Sequence, residues 1–128
     1  MRVYYEDTDH GGVVYYANYL KFMERARSEF LRSAGLELDH IDTEFGVLFA
    51  VTEANIRYHI PAIFNDMLSV ESSITTLRGA RIIFKQRIFK QVDHTLLSDA
   101  DIHLACIRRN GKISRIPPSV LAILKKHL

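Results

Sequence analysis

Between about Tyr16 and Ala34 apolar residues recur at three- and four-residue steps. Leu20, Met23, Ala26 or Arg27, Phe30, Leu31 and Ala34 mark one face, while Lys21, Glu24, Arg25, Ser28, Glu29 and Arg32 fill the other. This spacing predicts one amphipathic helix, about 25 Å long at 1.5 Å per residue. Asn18 or a residue just before it is placed to cap its start, and Gly35 stands where a C′ glycine belongs. Upstream, Arg2 to Glu6 is a short β-prone piece. It breaks at Asp7-Thr8-Asp9-His10-Gly11-Gly12, polar residues and two glycines that favour a turn with unusual backbone angles.

Beyond residues 36–44, which have room for a helical turn, the pattern becomes strand-like. Residues 45–51 and 52–59 read as two extended segments, and Pro61 interrupts before a loop over 62–66. Leu68, Val70, Ser72, Ile74 and Thr76 then alternate with Ser69, Glu71, Ser73 and Thr75, a period of two. Arg78-Gly79 suggests a turn, 81–92 a long strand, Asp93-His94 another turn, and 96–109 the next strand. Asn110-Gly111 is a hairpin signal before a strand over 112–116, and residues 119–127 suit a short terminal helix. One long helix followed by four or five antiparallel strands implies an α+β domain, with the helix on one face of the sheet.

A chain of 128 residues suits one domain with a sizeable core, and 48% hydrophobic against 25% charged residues excludes a disordered tail. The net charge of +2 suits an anionic small molecule but falls far short of a nucleic-acid-binding stripe. Cys106 is the single cysteine, which excludes an internal disulfide and fits a reducing compartment. Apolar runs such as 47–51 are too short to cross a membrane, and the N-terminus shows no signal-peptide pattern. A cytoplasmic location is therefore expected. His40, His59, His94, His103 and His127 show no metal-ligand pairing, so no metal site is expected.

The chemistry concentrates in residues 3–19: an acidic cluster, a glycine pair, and the start of the long helix. A helix head offers unpaired N–H groups and a partial positive charge, which can stabilise a carbonyl oxygen gaining negative charge in acyl transfer. A carboxylate folded back by Gly11 and Gly12 would sit beside that carbonyl, to attack it or to deprotonate a water. On spacing alone Glu6, Asp7 and Asp9 are equally eligible, and an Asp before two glycines also serves as a plain turn-former.

The stretch Tyr5-Glu6-Asp7-Thr8-Asp9-His10-Gly11-Gly12-Val13-Val14-Tyr15, followed by Tyr19, resembles the hotdog acyl-CoA thioesterases of the 4-hydroxybenzoyl-CoA thioesterase superfamily. It is most similar to their YbgC-like branch, named for the Tol–Pal cell-envelope cluster. The similarity continues through Glu24-Arg25-Ala26-Arg27, Asp66-Met67-Leu68 and Leu77-Arg78-Gly79-Ala80, and so covers nearly the whole chain. It implies a hotdog fold, a long central helix wrapped by a curved antiparallel sheet, and hydrolysis of an acyl-CoA thioester without cofactor or metal. It further implies Asp9 as catalytic carboxylate and the Tyr16 backbone N–H as carbonyl-polarising donor. YbgC-like members often carry His at the position of Tyr16, whereas Tyr there matches the 4-hydroxybenzoyl-CoA branch. Because the donor is main chain, the difference bears on acyl preference rather than on the reaction.

Tyr15 and Tyr19 are candidates to line the acyl pocket, and the acyl class turns on how Tyr15, Tyr16, Phe45, Phe49 and Phe64 pack. Arg78 and Arg81 match in place a basic segment that family members use near the CoA nucleotide, with Lys112 and Arg115 as weaker candidates. Glu24 reads either as a second carboxylate or as an intrahelix ion pair with Arg27, and His10 as a solvent-facing loop residue. The resemblance implies a homodimer or homotetramer with CoA contacts across the interface. A competing reading is a low-turnover hotdog module that docks acyl carrier protein or an envelope-associated complex. A hotdog dehydratase is disfavoured, since no His lies between Gly11 and Asp39 to pair with an acid.

Overall fold

The computed structural model describes residues 1–128. After a 3-10 turn at Tyr5–Asp7 come α1 (Asn18–Ser33), α2 (Leu38–Phe45), β1 (Val47–Tyr58), β2 (Leu68–Arg78), β3 (Arg81–Lys90), β4 (Leu96–Arg108) and α3 (Pro118–Lys125). The four strands form one antiparallel sheet in the order β1-β4-β3-β2. This is the α+β architecture that the sequence pattern implies, with four strands rather than five.

Helix α1 ends as its sequence dictates. Gly35 takes φ +87°, the Leu36 N–H reaches the Leu31 carbonyl at 2.8 Å, and the Gly35 N–H reaches the Arg32 carbonyl at 3.0 Å. These are the two bonds of a Schellman close. The buried face of α1 is Tyr19, Phe22, Met23, Arg27 and Leu31, with Phe30 packed edge-on against Phe84 of β3. Leu20, expected on that face, is exposed. The helix is rotated toward Tyr19 and Phe22 because their rings bury more apolar area, and the Tyr19 hydroxyl finds a partner in the Ala62 N–H at 3.0 Å.

The sheet presents Ile82, Phe84, Gln86 and Ile88 of β3 and Ala100, Ile102, Leu104 and Cys106 of β4 to the helix. Residues 45–51 and 52–59, expected as two segments, form the single strand β1. The register slips between Val51 and Glu53, so Thr52 is a bulge that bends the strand and breaks its alternation. A second bulge lies between Ile74 and Thr76 of β2. The strand expected over 112–116 does not form. Only Ile113 bridges Ile107, because the segment then crosses to the β2–β3 turn, where the Ile116 N–H donates to the Gly79 carbonyl at 3.1 Å. The β-prone start of the chain likewise reduces to a single bridge, Arg2 to Met67, at the head of β2. No helix is long and apolar enough to cross a membrane.

Candidate active site

Asp9 sits on the shoulder of a tight hairpin. Thr8 bridges Val14, the Asp9 N–H donates to the Val13 carbonyl at 2.9 Å, and the Gly12 N–H returns to the Asp9 carbonyl at 3.1 Å. Gly12 is at φ +77°, a conformation open to glycine at little cost. The Gly11 N–H donates to Asp9 Oδ1 at 2.8 Å, so one carboxylate oxygen is held by its own turn while Oδ2 has no partner in the protein. A Cβ on Gly11 would stand 3.2 Å from that same Oδ1. The three acidic residues thus part company. Asp7 spends Oδ2 on the Tyr4 N–H at 2.9 Å and is absent from the wall of the cavity beside the loop, whereas Glu6 and Asp9 both line it, Glu6 without a hydrogen bond and Asp9 with one oxygen held and one free.

The hairpin is stitched to the body from both sides. Val13 bridges Ile63, and the Val14 N–H donates to the Ala62 carbonyl at 2.8 Å. The Asp7 carbonyl collects the Tyr15 N–H at 2.9 Å and the Asn18 amide at 3.0 Å. Of the expected cap positions, Asn18 or a residue just before it, Ala17 holds the cap without a side-chain bond and Asn18 is the first residue of α1. The N–H groups of Asn18 and Tyr19 turn back to the carbonyls of Tyr15 and Tyr16, and the Tyr58 hydroxyl also donates to the Tyr16 carbonyl at 3.2 Å. The N–H groups of Tyr16 and Ala17 donate to nothing in the protein. Two free donors therefore stand at the positive end of a 16-residue helix.

A cavity of about 750 Å³ opens beside this loop, with Asp9, His10, Tyr15, Asn18 and Phe64 in its walls. The Tyr16 ring is exposed and lies against Tyr15, ring centres 4.6 Å apart, where the hydroxyl of Tyr16 pushes that of Tyr15 above its ordinary pKa. Tyr19, expected in the acyl pocket, is a core residue 3% exposed, and its ring meets Tyr58 edge-on. It supports the site from below. Arg78 and Arg81 flank the β2–β3 turn, where Gly79 at φ +61° holds the first central position of a type II′ hairpin. Both line a second cavity, of about 600 Å³, that shares no residue with the first, so a single chain does not bring them to Asp9. Lys112 and Arg115 are exposed on the segment whose Ile113 closes that second cavity.

Glu24 is exposed on α1 and makes no ion pair with Arg27. Arg27 turns inward, its Nη1 bound to Gln86 Oε1 at 2.9 Å, and burial pushes its guanidinium below the usual arginine range, with Glu24 opposing. His10 is exposed and unbonded. Tyr58 gains a role at the helix head that no local pattern announced, acting on the Tyr16 carbonyl from a distance in sequence that spacing arguments do not reach.

Residues 3–124 match the thioesterase-like superfamily. The chain belongs to that superfamily. It is 40% identical over 127 residues to the acyl-CoA thioester hydrolase YbgC of Escherichia coli, covering 98% of this chain and 93% of that protein. The acyl-CoA thioesterase YbgC of Haemophilus influenzae is 42% identical over 107 residues, 84% of this chain and 77% of that protein. Among solved structures, a 1,4-dihydroxy-2-naphthoyl-CoA thioesterase from Synechocystis superposes with a TM-score of 0.88 at 28% identity, covering 98% and 92% of the two chains. The fold is the hotdog fold of these thioesterase-like proteins, as the resemblance implied.

Proposed function

We infer that the chain is an acyl-CoA thioesterase in which Asp9 is the nucleophile or general base and the Tyr16 N–H polarises the thioester carbonyl. Thioester hydrolysis follows from the family and from close similarity to acyl-CoA thioester hydrolases over nearly the full chain. One observation supports the residue roles: Asp9, which has a free carboxylate oxygen and stands in the cavity wall, shares a loop with two unclaimed helix-head N–H groups. In the reaction the carbonyl oxygen of the thioester accepts the Tyr16 N–H. Charge developing on it is met by a donor already in place, which needs no reorganisation. Either Asp9 attacks the carbonyl carbon, CoA leaves as the thiolate and water then hydrolyses the mixed anhydride, its proton passing to the thiolate, or Asp9 takes a proton from the attacking water and returns it to the departing sulfur.

Arg78 and Arg81, two exposed cations side by side at one turn, suit the phosphates of CoA. One CoA ester has to satisfy both this pair and the Asp9 loop, which lie in separate cavities of one chain. A homodimer or a homotetramer built on it meets that need by joining the cavities of neighbouring subunits. β1 is a 12-residue edge strand exposing Leu48, Val51 and Tyr58, an edge suited to pairing with a second copy. The unpaired, buried Cys106 supports a reducing compartment, the cytoplasm. Acyl carrier protein, which presents an acyl group on the same pantetheine arm, is a second acyl donor.

The experiment is thiol release from short-chain, long-chain and benzoyl-type CoA esters by wild type and Asp9→Asn. The variant is expected to lose turnover by about 10²–10⁴-fold with an unchanged melting curve. Wild-type protein inert on every ester would move the function to docking of acyl carrier protein or another partner.

A further inference from the structure

Asn18 has hydrogen-bonding capacity that the fold leaves half used. Its Nδ2 donates to the Asp7 carbonyl oxygen at 3.0 Å. A carbonyl oxygen can only accept, so this bond fixes which end of the amide is nitrogen and turns Oδ1 the other way. Oδ1 accepts no hydrogen bond from the protein. It is also not sealed in, because every fully enclosed side-chain nitrogen and oxygen in the chain has a partner. Asn18 and Asp9 are walls of the same cavity, and Asp9 likewise keeps Oδ2 free while Oδ1 is held by Gly11. Two spare acceptors on residues that wall one cavity are able to take both hydrogens of one water and leave its lone pair to face a third direction.

We propose that Asn18 is a catalytic residue that holds the attacking water together with Asp9, so that Asp9 works as general base rather than nucleophile. This rests on the thioesterase reading of the Asp9 cavity and decides the step that reading leaves open. The water oxygen bonds to the thioester carbonyl carbon as Asp9 takes one of its protons, while its other hydrogen stays on Asn18 Oδ1. The carbonyl electron pair moves onto oxygen, facing the helix-head N–H groups. Its return breaks the carbon–sulfur bond, the sulfur leaves with the bonding pair, and the proton on Asp9 passes to it. Free acid and thiol result, and the carboxylate is restored. The clamp on Asp7 is what gives Oδ1 its fixed aim.

The test compares Asn18→Leu and Asn18→Asp with wild type and Asp9→Asn on the best CoA ester. Asn18→Leu is expected to lower kcat by about 10²-fold with KM little changed. Mass spectrometry of that variant with substrate should find no acyl group on the protein. Asn18→Asp keeps an acceptor for the water but, like Asn18→Leu, loses the donor to the Asp7 carbonyl. It is expected to retain clearly more kcat than Asn18→Leu, which a purely structural clamp would not allow, since both variants lose the clamp. An acyl adduct on Asp9 overturns the proposal, as does a folded Asn18→Leu with wild-type kcat or a folded Asn18→Asp no more active than Asn18→Leu. Wild-type turnover that survives Asp9→Asn removes the underlying reading of the site, and this proposal with it. Asn18→Leu retaining activity while Asp9→Asn is inert removes this proposal alone.

Discussion

Replacing Gln86 by leucine probes the anchor that holds α1 to the sheet. Gln86 has no accessible surface, and all its polar atoms are engaged: Oε1 accepts Arg27 Nη1, while Nε2 donates to the Met23 carbonyl and Ser72 Oγ, each at 2.9 Å. Leucine fills nearly the same volume, so the loss is polar rather than a cavity. Each neutral bond is worth about 1 kcal/mol net and the charge-assisted one about 2 kcal/mol. Arg27, 8% exposed and without an ion pair, is left with a buried charge and no side-chain acceptor. The expected destabilisation is about 4 kcal/mol. At about 2.1 cal/mol/K per residue, unfolding entropy for 128 residues is about 270 cal/mol/K, which places the melting temperature about 15 °C lower. Thermal melts followed by circular dichroism read this directly. Adding Arg27→Met removes the stranded charge, and the double variant is expected to recover about 2 kcal/mol relative to additivity. A Gln86→Leu protein within about 1 kcal/mol of wild type would refute the reasoning. So would a double variant equal to the sum of the single ones.

Three further outcomes follow from local geometry. Arg78→Ala with Arg81→Ala should raise KM for a CoA ester by about tenfold or more yet leave a pantetheine thioester, which lacks the nucleotide phosphates, unchanged. An equal rise on both substrates would detach these arginines from the phosphates. Asp99 accepts Arg57 at 3.0 Å and lies 2.9 Å from His59. Arg57 above all, helped by His59 and opposed by burial, holds its carboxyl below the usual range. Because the folded pKa lies below the unfolded one, this stabilisation is complete above the unfolded value of about 4 and is lost as pH falls through the folded one. Urea melts of Asp99→Asn should therefore show a shallower loss of stability on acidification, and an unchanged slope would count against the pairing. Gly46 closes α2 at φ +67° with open space around it, so Gly46→Ala should cost about 1 kcal/mol of backbone strain alone. A neutral result in a denaturant titration would contradict the left-handed cap.

Where the sequence misleads, the cause is local and identifiable. The three-and-four spacing of α1 admits both Leu20 and Tyr19 as its first inward residue, and ring burial together with the long-range bond from Ala62 to the Tyr19 hydroxyl selects between them. Thr52 hides the continuity of β1 because an extra residue in one strand inverts the alternation beyond it. The alternation of β2 is legible up to Ile74 for the same reason, since its own bulge follows at once. Residues 112–116 follow a good hairpin turn, yet after the Ser114 N–H reaches the Cys106 carbonyl the Ile116 N–H turns to the Gly79 carbonyl, so the segment leaves β4 before a ladder forms. At the candidate site, the Asp9 loop is readable because everything from Asp7 to Asn18 is contiguous. Phe64 and Tyr58 are not, because a lone aromatic at the end of a strand or in a loop has no pattern to mark it.

That contiguity has a physical consequence for how the site is held. A hairpin tip is among the more mobile parts of a fold, yet the role proposed for Asp9 against a thioester carbonyl requires placement to within about 0.5 Å. The chain resolves this by tying the hairpin twice. Its outer strand bonds to Ala62 and Ile63, and its base, through Asp7, bonds to the first turn of α1. The loop from Pro61 to Asp66 is in turn fixed by the Tyr19 hydroxyl on Ala62 and by Asp66 Oδ2 accepting the Ile63 N–H at 3.0 Å. Asp9 and the free helix-head N–H groups therefore move as one body with α1, whose far face is locked into the sheet through Arg27 and Gln86. Loosening that distant anchor should tilt donors and carboxylate together. A Gln86 variant that remains folded is accordingly expected to lose stability well before it loses kcat.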